Sequence, residues 1–164
     1  MATVQGEVIA SLVIDPSGRV RDGGTSRPLS SDEDRRRFLS LRKWADCILV
    51  GSNTAVAENY RTASLPVIIY SRRERTIEDW KAEISRLKST FGPHILVEAG
   101  PTLLTQLLDQ RVIDSLYLTR TRRISNDVTS PTFDISLHLQ AGSMKLMESS
   151  RGEEDLFEVY ERVD

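Results

Sequence analysis

Three short segments combine residue types able to hold an anionic ligand. Gly51-Ser52-Asn53-Thr54 follows an apolar run and precedes a helix-forming stretch. Backbone amides and hydroxyls in such a turn donate to phosphate, although an ordinary capped strand–helix turn has the same composition. Ser71-Arg72-Arg73 closes another apolar run. Where an acidic side chain would accept the ribose hydroxyl of NAD, this segment has donors and positive charge. Those suit the 2′-phosphate of NADP through charge-assisted hydrogen bonds; the other reading is a solvated loop. Glu98-Ala99-Gly100-Pro101-Thr102 is the most informative of the three. A carboxylate ends an apolar strand, and a small pair lets a ligand approach the backbone closely. The free amides of a helix starting at Pro101 then point at the same place, apt for a pyrophosphate. A buried Glu98 needs a partner, either from the protein or from a ligand.

Other chemistries find little support. There is no Gly-x-Gly-x-x-Gly fingerprint, P-loop or Gly-x-Ser-x-Gly elbow. His94 and His138 have no Cys or His at metal-ligand spacing, so structural roles are expected and no metal site. The single Cys47 lies in the apolar run Cys47-Ile48-Leu49-Val50 and reads as a small buried hydrophobe. Arg35-Arg36-Arg37 stands beside Asp32, Glu33 and Asp34, the pattern of a solvated, self-paired helix face. A net charge of -2 gives no basic field for nucleic acid.

The elements that must position these turns alternate along the chain. Val8 to Ile14 reads as a strand closed by the turn Asp15-Pro16-Ser17-Gly18. Ser30 with Glu33 forms a capping box for a helix with Phe38, Leu41 and Ala45 on one face. Strands are expected at Cys47–Val50, Val67–Tyr70 and Ile95–Val97. Thr76 caps a long helix with the stripe Ile77, Trp80, Ile84 and Leu87. Pro101 opens a helix with Leu103, Leu104, Leu107 and Leu108 on its packing face. Continuous apolar strands separated by helices predict parallel strands covered on both faces. Toward the C-terminus, Ser115–Thr119, Met144–Glu148 and Leu156–Arg162 read as strands without intervening helices, antiparallel additions at one sheet edge. At 164 residues, 39% hydrophobic and 28% charged, the chain predicts one domain over 1–164. One cysteine, an N-terminus without a basic leader region, and an apolar segment broken at Asp15-Pro16 together predict a soluble, cytoplasmic protein off the membrane.

Taken in order, these residues resemble a known family. Arg27-Pro28-Leu29-Ser30-Ser31 and the stretch from Leu41-Arg42-Lys43-Trp44 to Gly51-Ser52-Asn53-Thr54 resemble the reductase domain of the bifunctional riboflavin-biosynthesis deaminase/reductase. Leu96-Val97-Glu98-Ala99-Gly100-Pro101-Thr102-Leu103-Leu104 resembles its Glu-Gly-Gly cofactor turn, with Ala99 in place of the first glycine. Val112 to Leu118 matches the following strand, and no counterpart of the deaminase half is expected. The resemblance implies a dihydrofolate-reductase-like α/β fold, mainly parallel with antiparallel C-terminal strands and helices on both faces. It implies NADPH as cofactor, contacting Ile9, Pro28, Gly51, Thr54, Glu58, Ser71, Arg72 and the turn from Ala99 through Leu104 toward Gln106. The substrate would lie near Ser26, Arg42, Arg61 and Glu98, the two arginines being candidates for a phosphate. The implied reaction passes hydride to the sugar carbon of 5-amino-6-(5-phosphoribosylamino)uracil or a related compound, with Glu98 in a catalytic role. The family's Ser-x-Asp-Gly stands here as Ser11-Leu12-Val13-Ile14-Asp15, so Asp15, on a shifted loop, is the candidate for the carboxylate beside the substrate. That altered motif keeps open a non-catalytic NADP-binding paralogue, or a reductase of another pterin-like substrate. A homodimer through the C-terminal strands is also implied.

Overall fold

The computed structural model describes residues 3–58, 60 and 63–164. One seven-stranded sheet runs through it, built from β1 (Val8–Ile14), β2 (Cys47–Gly51), β3 (Val67–Tyr70), β4 (Ile95–Val97), β5 (Ser115–Thr121), β6 (Met144–Arg151) and β7 (Asp155–Arg162). Their spatial order is β3-β2-β4-β1-β5-β7-β6. The first five strands pair in parallel, and β7 and β6 are added antiparallel at one edge. This is the mixed sheet that the sequence pattern predicts. The β6–β7 ladder shifts register between Leu146 and Glu148, the extra residue of a bulge.

The pleat sends alternate residues to two cores. Val8, Ala10, Cys47, Leu49, Ile95 and Val97 meet α3 (Trp80–Phe91) and α4 (Pro101–Asp109) on one face. Ile9 and Leu96 meet Leu41 and Ala45, at the end of α1 (Asp32–Trp44), on the other. Strands buried on both faces cannot alternate polar with apolar, and for that reason these runs are continuously apolar. Leu107 is fully buried at the centre of the α4 packing face. Leu107→Ala is expected to cost about 2–5 kcal/mol in urea unfolding.

Three expectations are corrected. The cap of α1 is Ser31, whose side chain accepts from the Asp34 amide at 3.0 Å, rather than Ser30 paired with Glu33. Ser31 is the last residue with extended backbone, so the Ser/acid pair three apart is Ser31 and Asp34. Helix α3 starts at Trp80, capped by Asp79, and not at Thr76; Ile77 still packs against the core from the preceding segment. Between β5 and β6 lies a helix, α5 (Ile135–Ala141), capped by Asp134, where no helix was expected.

Candidate active site

The carboxyl ends of the parallel strands open into a cleft of about 1190 Å³. In an open α/β sheet this is where turns leave strand ends and helix N-termini converge. The three anion-type turns all border it. Gly51 caps the short helix α2 (Ser52–Ala57). Thr54, one turn in, accepts the Gly100 amide on its hydroxyl at 3.1 Å, which ties the β2 turn to the β4 turn. Gly100 is the cap residue of α4 and offers no side-chain acceptor, while Pro101 takes the first position. The amides of that first turn therefore have no partner inside the helix. A Cβ at Gly100 would stand 3.1 Å from the Thr54 hydroxyl, so the close backbone approach requires glycine or a shift of Thr54. Ser71, Arg72 and Arg73 follow β3 at the far end of the same cleft, both arginines exposed.

At the inner end stands Glu98, buried, immediately after β4. Arg42, reaching across from α1, donates through Nε to Oε1 at 2.7 Å and through Nη2 to Oε2 at 2.8 Å. The Tyr60 hydroxyl donates to Oε2 at 2.8 Å. The carboxylate thus has a bidentate guanidinium and a phenol as partners, which offsets the cost of burying it. The Arg42 pKa is raised, chiefly by its hydrogen bond to Glu98 against a desolvation cost. Burial, reinforced by the neighbouring Glu98, pushes the Tyr60 hydroxyl far above its ordinary value, so it remains a proton donor. Arg42 also lies over the Phe38 ring, 4.6 Å from its centroid. Ser26 and Glu58 meet at the cleft wall, where the Ser26 amide donates to Glu58 Oε1 at 2.6 Å.

Of the residues singled out from sequence, Ser26, Arg42, Gly51, Thr54, Glu58, Ser71, Arg72, Glu98, Ala99, Gly100, Pro101, Thr102 and Leu103 line this one cleft. Four do not. Asp15 is corrected: one oxygen accepts the Ser17 and Arg19 amides at 2.8 Å and the other the Ser125 amide at 3.0 Å. The Pro16-Ser17-Gly18 turn folds back over the carboxylate, and the end of β1 offers the cleft Ser11, Leu12 and Val13 instead. Ile9 is fully buried under α1, and Leu104 is in the α4 core. Pro28 is exposed and off the cleft, its carbonyl accepting from Arg123. Arg61 lies outside the described residues.

Tyr60 and Asp34 border the cleft although their sequence context gives neither a site role. Tyr60 sits in a loop with no periodicity to mark it; its only signal is an aromatic within the polar segment Glu58-Asn59-Tyr60-Arg61. Asp34 reads as part of a solvated charged face, yet it borders the cleft, and the neighbouring Arg37 lies 4.0 Å over the Phe157 ring. That helix face is therefore not simply self-paired. Cys47 is buried, its thiol pushed up to about 11 mainly by desolvation, and His138 stacks on Phe133. Among the described residues no cluster of three His, Cys, Asp or Glu is placed to hold a metal ion, and no helix is long and apolar enough to cross a membrane.

Comparison with solved structures bears out the fold. A pyrimidine reductase-like protein from Corynebacterium diphtheriae superposes with a TM-score of 0.72 at 19% identity, over 97% of this chain and 92% of that one. Acinetobacter baumannii RibD gives 0.73 at 16% identity; 97% of this chain is covered, but only 58% of that protein. Dihydrofolate reductase from Enterococcus faecalis, solved with NADP(H), gives 0.62 at 15% identity with 98% of both chains covered, so the sheet is of the dihydrofolate-reductase-like kind. No curated protein matches. The sequence of residues 14–121, which includes the Arg42–Glu98 pair and all three turns, matches the RibD C-terminal domain, and the chain belongs to that family.

Proposed function

We propose that this chain is an NADPH-dependent reductase acting on 5-amino-6-(5-phosphoribosylamino)uracil or a close relative, reducing the ribosyl carbon to open the sugar into a ribityl chain. One observation carries the reading: three donor-rich turns border a single cleft whose inner end is the Arg42–Glu98–Tyr60 cluster, with Glu98 buried and accepting from both partners. The residues fit the cofactor. Ser71, Arg72 and Arg73 would hold the 2′-phosphate, and the Gly100–Pro101 helix start the pyrophosphate. When bound, NADPH supplies the hydride. The chain's own part is placement: Glu98 holds Arg42 by its Nε and Nη2 groups, which leaves Nη1 for the substrate, Tyr60 holds its proton beside them, and the apolar Leu12, Val13 and Leu103 exclude water from the reacting carbons.

Purified protein is expected to consume NADPH only when the ribosylaminopyrimidine phosphate is present, giving a ribityl product by mass spectrometry. A second reading, a non-catalytic NADP-binding paralogue, is favoured by one observation: Asp15 is locked in its own loop, so the end of β1 presents no carboxylate. Under that reading NADPH binds and raises the melting temperature, yet none is consumed. The unpaired edge of β6, with Leu146 and Met147 exposed, supports a homodimer through that strand. Equilibrium sedimentation should then give twice the chain mass, and Leu146→Asp should shift it to monomer. A small-molecule substrate and a cytoplasmic location go with this reading.

A further inference from the structure

One wall of the cleft is poorly held by its own hydrogen bonds. Ser26, Arg27 and Ser30 border the cleft, and all belong to, or flank, one short 3-10 turn over Arg27–Leu29. Its internal bonds are few: the Leu29 amide donates to the Ser26 carbonyl at 3.0 Å, and the Ser30 amide to the Arg27 carbonyl at 3.2 Å. Pro28 has no N–H to add, and a turn of this kind has poor hydrogen-bond geometry. Contacts from elsewhere must fix it. At one end the Ser26 amide donates to Glu58, and at the other the Ser31 hydroxyl donates to Asp155 at the start of β7. Neither anchor reaches the carbonyls of Pro28 and Ser30 between them.

Arg123 supplies the missing hold, although it does not itself border the cleft. Its Nη1 donates to the Pro28 carbonyl at 3.1 Å and to the Ser30 carbonyl at 3.3 Å. Its Nε and Nη2 donate to the two oxygens of Glu154 at 2.6 and 3.2 Å, a fork-to-fork pair that fixes the guanidinium plane. The Ser30 carbonyl also accepts Arg27 Nη1 at 3.0 Å, so both of its lone pairs are occupied. The strut stands on a paired base. Arg123 and Glu154 lie just beyond the β5–β7 ladder, whose last pair is Thr121 with Asp155. The Arg122 amide donates to the Glu154 carbonyl at 3.2 Å, and the Arg123 amide to the Thr121 hydroxyl at 3.1 Å. The Arg123 and Glu154 side chains are 39% and 47% exposed, and an ion pair so exposed adds little to stability. Its use is geometric.

We propose that Arg123 is a positioning residue: held by Glu154, it fixes the turn so that Ser26 and Arg27 keep their places on the cleft wall for the substrate. The inference rests on the reading that a ribosylaminopyrimidine phosphate lies along that wall. Without the strut the turn samples other arrangements, and a ligand binding there must first order it, which weakens its apparent affinity. NADPH affinity should not depend on Arg123. Its side-chain hydrogen bonds go to Glu154 and to this turn, and none goes to the turns at Ser71 and Gly100 among the described residues.

The test uses the full chain. Hydrogen exchange without ligand reads the turn itself. In Arg123→Ala the Leu29 and Ser30 amides should exchange about tenfold faster, the loss of hydrogen bonds from a charged donor, while the amides of β1 and β4 keep wild-type rates. Calorimetric titration with the ribosylaminopyrimidine phosphate should show binding weakened about tenfold in the same variant. In turnover the loss should fall on the substrate KM, with kcat and the NADPH KM unchanged, as removal of uniform binding requires. Glu154→Gln, still able to accept from Arg123, should stay near wild type, whereas Glu154→Ala should shift in the direction of Arg123→Ala. Arg123→Lys puts a single ammonium where a fork is needed. It should resemble Arg123→Ala, and it serves in its place if the alanine variant does not fold. Unchanged exchange at Leu29 and Ser30 overturns the proposal. So does acceleration spread equally over β1 and β4, the mark of global destabilisation, or a parallel loss of NADPH affinity. Equal binding of the substrate to wild type and Arg123→Ala, or none to wild type, also overturns it. NADPH consumption reports on the reductase reading separately. Arg123-dependent exchange and binding without NADPH consumption leave the proposal standing and sink the reductase reading; consumption with both indifferent to Arg123→Ala does the reverse.

Discussion

Glu98→Ala is expected to destabilise the fold by about 3–5 kcal/mol and to lower any turnover by about a hundredfold or more. Both effects come from one arrangement. Glu98 is the shared acceptor of a bidentate Arg42 and of Tyr60. Removing it leaves a guanidinium and a phenol facing each other in a partly desolvated corner. The stability loss should fall toward the lower end, because the Arg42 side chain keeps 22% exposure and can turn to water. Glu98→Gln separates the two effects. It preserves the shape and one acceptor oxygen, so it should recover most of the stability measured in urea while remaining nearly inactive in NADPH consumption. Full activity in Glu98→Gln would remove the carboxylate from the mechanism.

The second large effect is expected at the other end of the cleft. Arg72→Ala combined with Arg73→Ala should weaken NADPH by about tenfold to a hundredfold, the loss of a hydrogen bond to a charged partner, and should leave NADH affinity unchanged. Both side chains are exposed and border the cleft just beyond β3, so the substitutions disturb no core. The effect should shrink with added salt, as screened charges require. A parallel loss for NADH would mean that the arginines support the loop rather than a phosphate.

The ease with which different parts of the molecule could be read from sequence follows from how local their determinants are. Cys47–Gly51 and Ile95–Val97 are short runs buried on both faces, and such strands announce themselves through continuous apolar residues bounded by turns. The cleft turns were legible for the same reason, since each follows a strand that is easy to find. Helix α5 was not legible: only Ile135 among its seven residues is buried, too few positions to establish a period. Asp15 was placed by its neighbours in the chain, but its environment is set by the Ser125 amide, 110 residues away. Asp34 is similar. Its charged surroundings Asp32-Glu33-Asp34-Arg35 read as solvated, and only the Thr119 hydroxyl from β5 and the position of α1 on the sheet show that it turns inward. Residues whose role depends on a single long-range partner leave no periodic trace, and Tyr60 belongs with them.

Trp80 offers the most direct view of the cleft. Its indole N–H donates to Gln106, which lines the cleft, and its ring meets Tyr70, another lining residue, edge-on at 5.0 Å. Trp44 lies tilted against His94 instead, with ring centroids 4.8 Å apart. In Trp44→Phe the remaining tryptophan therefore reports on this cleft. Titration with NADPH should give saturable quenching of Trp80 emission, with NADH needing at least about tenfold more ligand for the same effect. No quenching at millimolar NADPH, or equal affinity for the two coenzymes, would contradict a cleft built around a dinucleotide with an extra phosphate.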